Sequence, residues 1–377
     1  MSRETEAFFR QLQVFLDQHE DEFENIDEAI NYYVTQFNAG LIDEPEDDTD
    51  RALDLLEMAL DYEDADERLA LLEEANQLDP HNLDIYCALC LERYGEMGAI
   101  PYIEEKTAEY FKTHRQSIKE SSYARIENRP YFRARKFLLD FYKQEYLLGK
   151  AENTAKELLR NNPNDNLGAR YSLMGTYVLS FQHKKARSFF KKEPMHQEDD
   201  QMLFYMAVSL ILDQDIQYAE RIIKKLLKIN PTITRFFIER EFDSFLVYSF
   251  LPDEYYQPNS ERSLAIAFAE VLSLFQHSEY LYWTFQKILK QTNPEYFDQY
   301  YAQQVNWLNS YAEANKLAGT GIFTNISSQY VRPLLLEGLR KLEDFQSKYE
   351  REVLAIDGIG KGTVKKLREN GVTFKGE

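Results

Sequence analysis

Ala151-Glu152-Asn153-Thr154-Ala155-Lys156-Glu157-Leu158-Leu159-Arg160-Asn161-Asn162-Pro163 finds its counterpart in Ala219-Glu220-Arg221-Ile222-Ile223-Lys224-Lys225-Leu226-Leu227-Lys228-Ile229-Asn230-Pro231, 68 residues further on. A small residue stands twelve positions before each proline (Ala151, Ala219), an apolar one eight before (Ala155, Ile223) and a leucine five before (Leu158, Leu226). Spacings of four and three place all three on one helical stripe. The Asn-Pro pair then ends the helix, because proline pushes its predecessor out of the α region. Asp79-Pro80 and Asn293-Pro294 punctuate the chain in the same way, while glycine and proline are sparse at 14 and 11 and strand alternation is almost absent. The fold class is all-α. Residues 50–240 read as four or five stacked helical hairpins: Asp50 to Pro80 with Leu71, Leu72, Ala75 and Leu78 inward, two helices in Leu83 to Ser122, a degenerate unit in Asn166 to Met195 with Ala186 at its small position, and the two quoted repeats.

The 68-residue interval is twice the 34-residue tetratricopeptide period, and the alanines sit where that repeat brings its two helices together. The pattern resembles the tetratricopeptide superfamily. Glu127-Asn128-Arg129-Pro130-Tyr131-Phe132-Arg133-Ala134, Asn162 to Tyr171, and Pro252 to Glu261 followed by the apolar and small alternation of Leu264 to Phe275 narrow it. They look like a bacterial group of these proteins that is similar to the eukaryotic suppressor-of-tumorigenicity family. The resemblance spans about residues 50 to 290 and implies a tetratricopeptide-like α-solenoid more than any activity. Curved repeat surfaces mostly bind other proteins, so a protein partner is expected.

Flanking segments complete the organisation. In residues 1–40, Phe8, Phe9, Leu12, Phe15 and Leu16, then Ile26, Ile30, Tyr33 and Phe37, mark two helices. An acidic linker, 41–49, opens a stretch from Ile42 to Glu67 whose single base is Arg51. It reads as a solvated linker and helix face, or as a docking strip for a basic partner. Residues 241–350 continue the array and are rich in aromatics from Tyr280 to Tyr311. Helix-packing core is the expectation there; a peptide groove lined by rings such as Tyr300 and Trp307 is the alternative. Leu335, Leu339, Leu342, Phe345 and Tyr349 predict a stripe on one terminal helix.

In the tail, residues 351–377, Leu354-Ala355-Ile356-Asp357-Gly358-Ile359-Gly360-Lys361-Gly362-Thr363-Val364-Lys365-Lys366-Leu367 sets two glycines between an apolar triplet and a basic helix that stops at Asn370-Gly371. This resembles the helix-hairpin-helix element of DNA-repair and recombination proteins. Gly358 and Gly360 permit a tight turn, so amides of Lys361, Gly362 and Thr363 can face a phosphate with Lys365 and Lys366 nearby. Asp357 and Lys361 stand where members of that family often carry proline. With the chain at a formal net charge of −20, contact with DNA or RNA is expected to be local, weak and salt-sensitive.

Catalytic signatures are missing from the sequence: no G-x-x-x-x-G-K loop, G-x-S-x-G elbow or H-E-x-x-H helix appears. No enzymatic activity, cofactor or metal is expected. Cys87 and Cys90 fall among apolar residues without a second ligand pair, and read as core in a reducing compartment. Arg129 and Arg133 beside Asn128, with Arg170, form a candidate anion-binding face for a partner, capping and inter-helix bonding being the plainer reading. The N-terminus lacks a signal-peptide pattern and no apolar run spans a bilayer, so a cytoplasmic location is expected. Two functions follow: a non-enzymatic scaffold or adaptor for a protein partner, or a nucleic-acid-associated factor whose tail touches phosphates while the repeats recruit a partner.

Overall fold

A computed structural model describes residues 3–19, 22–39, 41, 48–239 and 256–376. Asp43, Glu44, Glu46 and Asp47 of the acidic linker, and Pro252 to Tyr255, lie outside the described residues. Helices account for 79% of the structure and no strand occurs among the described residues, so packing of helix on helix is the whole architecture. Two compact units divide the chain: Met1–Asn230 with Phe245–Leu281, and Pro231–Ser244 with Tyr282–Glu377.

The first unit begins with α1 (Arg3–Gln18) and α2 (Ile26–Asn38), joined by Phe8 and Phe15 against Tyr33. In α3 (Asp48–Asp61) and α4 (Ala65–Leu78), Leu56, Leu72 and Ala75 share a core with Ile85 and Leu89 of α5 (Leu83–Ser121). Gly95, at φ +65°, breaks α5 sharply, so this run supplies two helices as its sequence predicts. Cys87 and Cys90 are buried there, and burial raises both thiols, which keeps them protonated.

Three hairpins of matching geometry follow: α6 (Arg129–Gln144) with α7 (Leu148–Asn161), α8 (Ala169–Leu179) with α9 (His183–Lys192), and α10 (Asp200–Leu212) with α11 (Ile216–Ile229). Their turns place Tyr146, Phe181 and Gln214 at φ +54°, +55° and +62°. In each, the next amide reaches back five residues, Leu147 to the Tyr142 carbonyl, Gln182 to Tyr177 and Asp215 to Leu210. The corners before proline repeat as well. Asp79, Asn162, Asn230 and Asn293 have φ of −131°, −134°, −134° and −134°, and each amide closes onto the carbonyl four residues back. Ala151, Ala155, Ala219, Ile223 and Leu226 are completely buried, in the register the sequence predicts.

Helix α10 is apolar on every side, and its residues from Asp200 to Ile211 are all buried by α8, α9, α11 and α12 (Glu261–Glu270). Glu270 enters the notch left by Gly175 of α8, where an added Cβ would lie 2.1 Å from its Oε1. Lys143 of α6 pairs with the same carboxylate at 3.1 Å. The array thus receives α12 across α8 and α10, and that face is covered by the chain itself.

In the second unit, α14 (Glu279–Thr292) stacks Phe285 on Phe237 at 4.4 Å, and α15 (Pro294–Leu317) leads to α16 (Ser328–Leu336), α17 (Leu342–Gln346), α18 (Glu350–Leu354) and α19 (Lys361–Glu369). The short α13 (Leu272–His277) precedes them in the first unit. The single terminal helix expected over Leu335 to Tyr349 is absent. Gly338, at φ +78°, ends α16, and only Leu335, Leu339 and Phe345 of the stripe are buried. The aromatic tract also divides: Phe285 is core, but Trp283, Tyr301, Trp307 and Tyr311 are exposed.

Two predictions concern the array. Replacing Ala219, which has no exposed surface, by leucine forces the helices apart, and chemical denaturation should show a loss of about 1–3 kcal/mol; an unchanged midpoint would mean that the helices do not meet at this residue. Glu152 of α7 accepts bonds from Lys156 (2.5 Å), Lys185 (2.7 Å) and Gln182 (2.9 Å). Burial works against its charge, but these donors prevail and hold the carboxyl down to about 2. Its contribution is therefore present above the ordinary carboxylate range and lost as pH falls towards 2. Glu152→Gln should cost about 2 kcal/mol at neutral pH, with the gap closing in acid; a gap independent of pH would contradict this.

Candidate nucleic-acid interface

Residues 355–360 join α18 to α19 in a tight loop. Gly358 takes φ +79°, the buried Ile359 donates its amide to the Ile356 carbonyl at 3.0 Å, and Gly360 is extended and exposed. The Thr363 and Val364 amides return to the Gly360 carbonyl at 3.0 and 3.2 Å. The helix therefore begins at an exposed edge, where the Lys361 and Gly362 amides precede the first intrahelical bonds. Lys361 and Lys365 are exposed beside it, Lys365 lying 3.9 Å from Glu369. Thr363 packs inward, and Lys366 donates to the Asn325 carbonyl at 2.8 Å. Gly358, Gly360, Lys361, Gly362 and Lys365 thus share one end of the hairpin, whereas Thr363 and Lys366 serve its packing.

Lys366 leads to a feature that the sequence analysis missed. Thirty-three residues upstream the chain builds the same loop: Asn325 (φ +61°) matches Gly358, and buried Ile326, Val331, Leu334 and Leu339 match Ile359, Val364, Leu367 and Val372. Gly338 matches Gly371, at φ +78° and +89°. The hydrogen bonds match too. Ile326 donates to Phe323 as Ile359 does to Ile356, Val331 to Ser327 as Val364 to Gly360, and Leu339 to Leu334 as Val372 to Leu367. Contacts between the copies are reciprocal. Lys366 reaches Asn325, while Pro333, the residue matching Lys366, lies 4.0 Å from a Cβ built on Gly358, the residue matching Asn325. Such reciprocity marks an approximate two-fold relation within the chain. One apolar core, from Ala314 to Phe374, holds both copies, so the boundary expected at residue 351 falls inside it. The recurring I-x₄-V-x₂-L-x₃-G-[LV] spacing was the available signal. Only apolar and glycine positions recur, and the polar residues between them differ.

This region is mildly basic, though less so than residues 129–192, which carry fourteen lysines and arginines against five aspartates and glutamates. Residues 321–376 carry ten lysines and arginines against seven aspartates and glutamates, in a chain of net charge −20. Arg368 pairs with Glu350 at 2.5 Å, while Lys361, Lys365 and Lys366 are exposed near the second loop, Lys366 with its bond to the Asn325 carbonyl.

The expected partner-binding arginines are held elsewhere. Arg133 grips Asp84 (2.5 Å) and Glu6 (2.9 Å), and Arg129 donates to the same Glu6 at 3.0 Å. Burial alone would lower the Arg133 pKa, but these carboxylates raise it. Arg133 lines a cleft of about 260 Å³ with Tyr110, His81 and His114. Arg170 binds Asp165 at 2.9 Å and stacks on Tyr171 at 4.2 Å. Tyr300 donates to the Glu239 carbonyl at 3.2 Å, and Trp307 is exposed with the Arg332 guanidinium 4.2 Å from its ring.

No helix among the described residues is long and apolar enough to cross a membrane. No protein-family model matches the chain, and no curated protein matches it.

Asn370 Nδ2 donates to the Ile322 and Thr324 carbonyls at 3.0 and 2.8 Å, clasping the first loop from the second copy. Asn370→Ala should leave both acceptors without this donor, cost about 1–2 kcal/mol, and speed hydrogen exchange at Ile326 and Val331. Unchanged exchange at those amides would show that the copies do not support each other.

Proposed function

We propose that this protein acts by binding rather than by catalysis: a nucleic-acid-associated adaptor whose paired C-terminal hairpins grip the phosphate backbone of a duplex, while a tetratricopeptide-like array holds a protein partner. The observation that carries the reading is the repeated hairpin, two loops in reciprocal contact, each ending at the exposed start of a helix. A duplex offers two antiparallel backbones, and a two-fold pair of helix-hairpin-helix-like elements has the matching symmetry. Phosphate contacts of this kind give affinity without base reading, and with few cations the binding is weak and falls with salt at a shallow slope. The net charge of −20 opposes bulk nucleic acid at long range. This ranks above the pure scaffold because the arginines expected to meet a partner are engaged with internal carboxylates and the α8–α10 face is covered by α12.

Fluorescence anisotropy of the full chain with a labelled DNA duplex at low salt tests the proposal. Binding should weaken linearly in log salt, and Lys361→Glu with Lys365→Glu should lose roughly tenfold or more in affinity. Lys228→Glu, on exposed α11 surface, should change little. No binding by the unaltered chain at low salt, or equal losses in both variants, would rule the hairpins out as the contact.

A further inference from the structure

Within α15, residues 301–309 are exposed in unbroken succession, about two and a half turns of helix with solvent on every side. Free-standing helix of this length is marginal in water, because helices in proteins are stabilised mainly by packing an apolar face. The segment supplies such a face. Tyr301, Val305, Leu308 and Ala312 are spaced four, three and four apart, the interval of a helix-pairing seam. Tyr301 and Leu308 are about 60% exposed, at 61% and 59%. Beside the seam Trp307 and Tyr311 stack on each other and carry Arg332 over the Trp307 ring.

From Gln299 to Ala312 the helix has no charged residue, in a chain of net charge −20. In the exposed stretch 301–309, Gln303, Gln304, Asn306 and Asn309 are all amides. A surface that meets its own copy across a two-fold axis brings the groups nearest that axis close to their like. Charges oppose one another there, but amides donate and accept alike and so complement themselves. We propose that this face of α15 binds the same face of a second copy of the chain, with the two helices antiparallel.

The direction follows from size and charge. Centred between Asn306 and Trp307, antiparallel pairing sets Val305 against Leu308 of the other copy and the large Tyr301 against the small Ala312. It also brings Asp298 towards Lys316, both exposed. Parallel pairing would instead oppose Asp298 to Asp298 and crowd Tyr301 on Tyr301.

Sedimentation and light scattering of the full chain across the micromolar range test the association. The expected mass is twice that of the chain, falling to a single chain in Val305→Asp with Leu308→Asp. The far-UV circular dichroism of this variant should stay close to that of the unaltered chain, since both replaced side chains are exposed. Orientation is read by cysteine cross-linking: an equimolar mixture of Tyr301→Cys and Ala312→Cys chains should cross-link, and Tyr301→Cys alone should do so far less, since antiparallel pairing sets the two copies of residue 301 about 16 Å apart along the helices. A monomer throughout the range overturns the proposal and leaves the seam to a different protein. Efficient Tyr301→Cys self-cross-linking overturns the antiparallel arrangement.

Discussion

An extended residue held in front of proline organises the helical array. Proline's ring excludes the α conformation at the preceding position, so Asp79, Asn162, Asn230 and Asn293 all adopt nearly the same backbone angles. Each corner fixes where a helix stops, and the stop fixes which residues four, seven and eleven positions earlier face a neighbour. The side chains then exploit the corner. Asn230 Nδ2 donates to Asp200 and to the Ser260 carbonyl, both at 2.7 Å, linking the end of α11 to the starts of α10 and α12. Burial raises the Asp200 carboxyl, and the surrounding donors offset that penalty. A helix terminus thus becomes a junction for three helices.

That junction bears on what the array can bind. Because α12 is drawn onto α8 and α10, residues that would line an open groove are interior, and α10 is apolar throughout its circumference. A helical hairpin gains stability from each neighbour that covers its apolar face. The same covering removes surface, and both exposed tryptophans, Trp283 and Trp307, belong to α14 and α15.

Legibility in the sequence followed how far each signal depends on local geometry. Asn-Pro corners and the alanine register were readable because proline's restriction acts on its nearest neighbour, and Ala151 and Ala219 are buried where the spacing placed them. The terminal stripe misled: Leu335, Leu339 and Leu342 satisfy helical periodicity, yet Gly338 turns the chain at positive φ between them. Periodicity reports which residues are apolar, not whether the helix continues. In the hairpin region Gly358 and Gly371 announced the second loop. Asn325 does the work of Gly358 in the first, since asparagine tolerates the left-handed region through a different side chain, and the duplication stayed hidden behind that exchange. The fates of Arg129 and Arg133 were not readable at all, because Glu6 reaches them from more than a hundred residues away in sequence.

A chain at −20 meets a polyanion most readily where its local charge balance is reversed. Residues 321–376 are such a region, and residues 129–192 are another, with fourteen lysines and arginines against five aspartates and glutamates. At moderate salt, screening limits repulsion between exposed charges to roughly 10 Å. On the proposed reading, the helix-start amides and the exposed Lys361, Lys365 and Lys366 would act on a phosphate inside that distance, so the contact would depend on local charge rather than on the net charge of the chain.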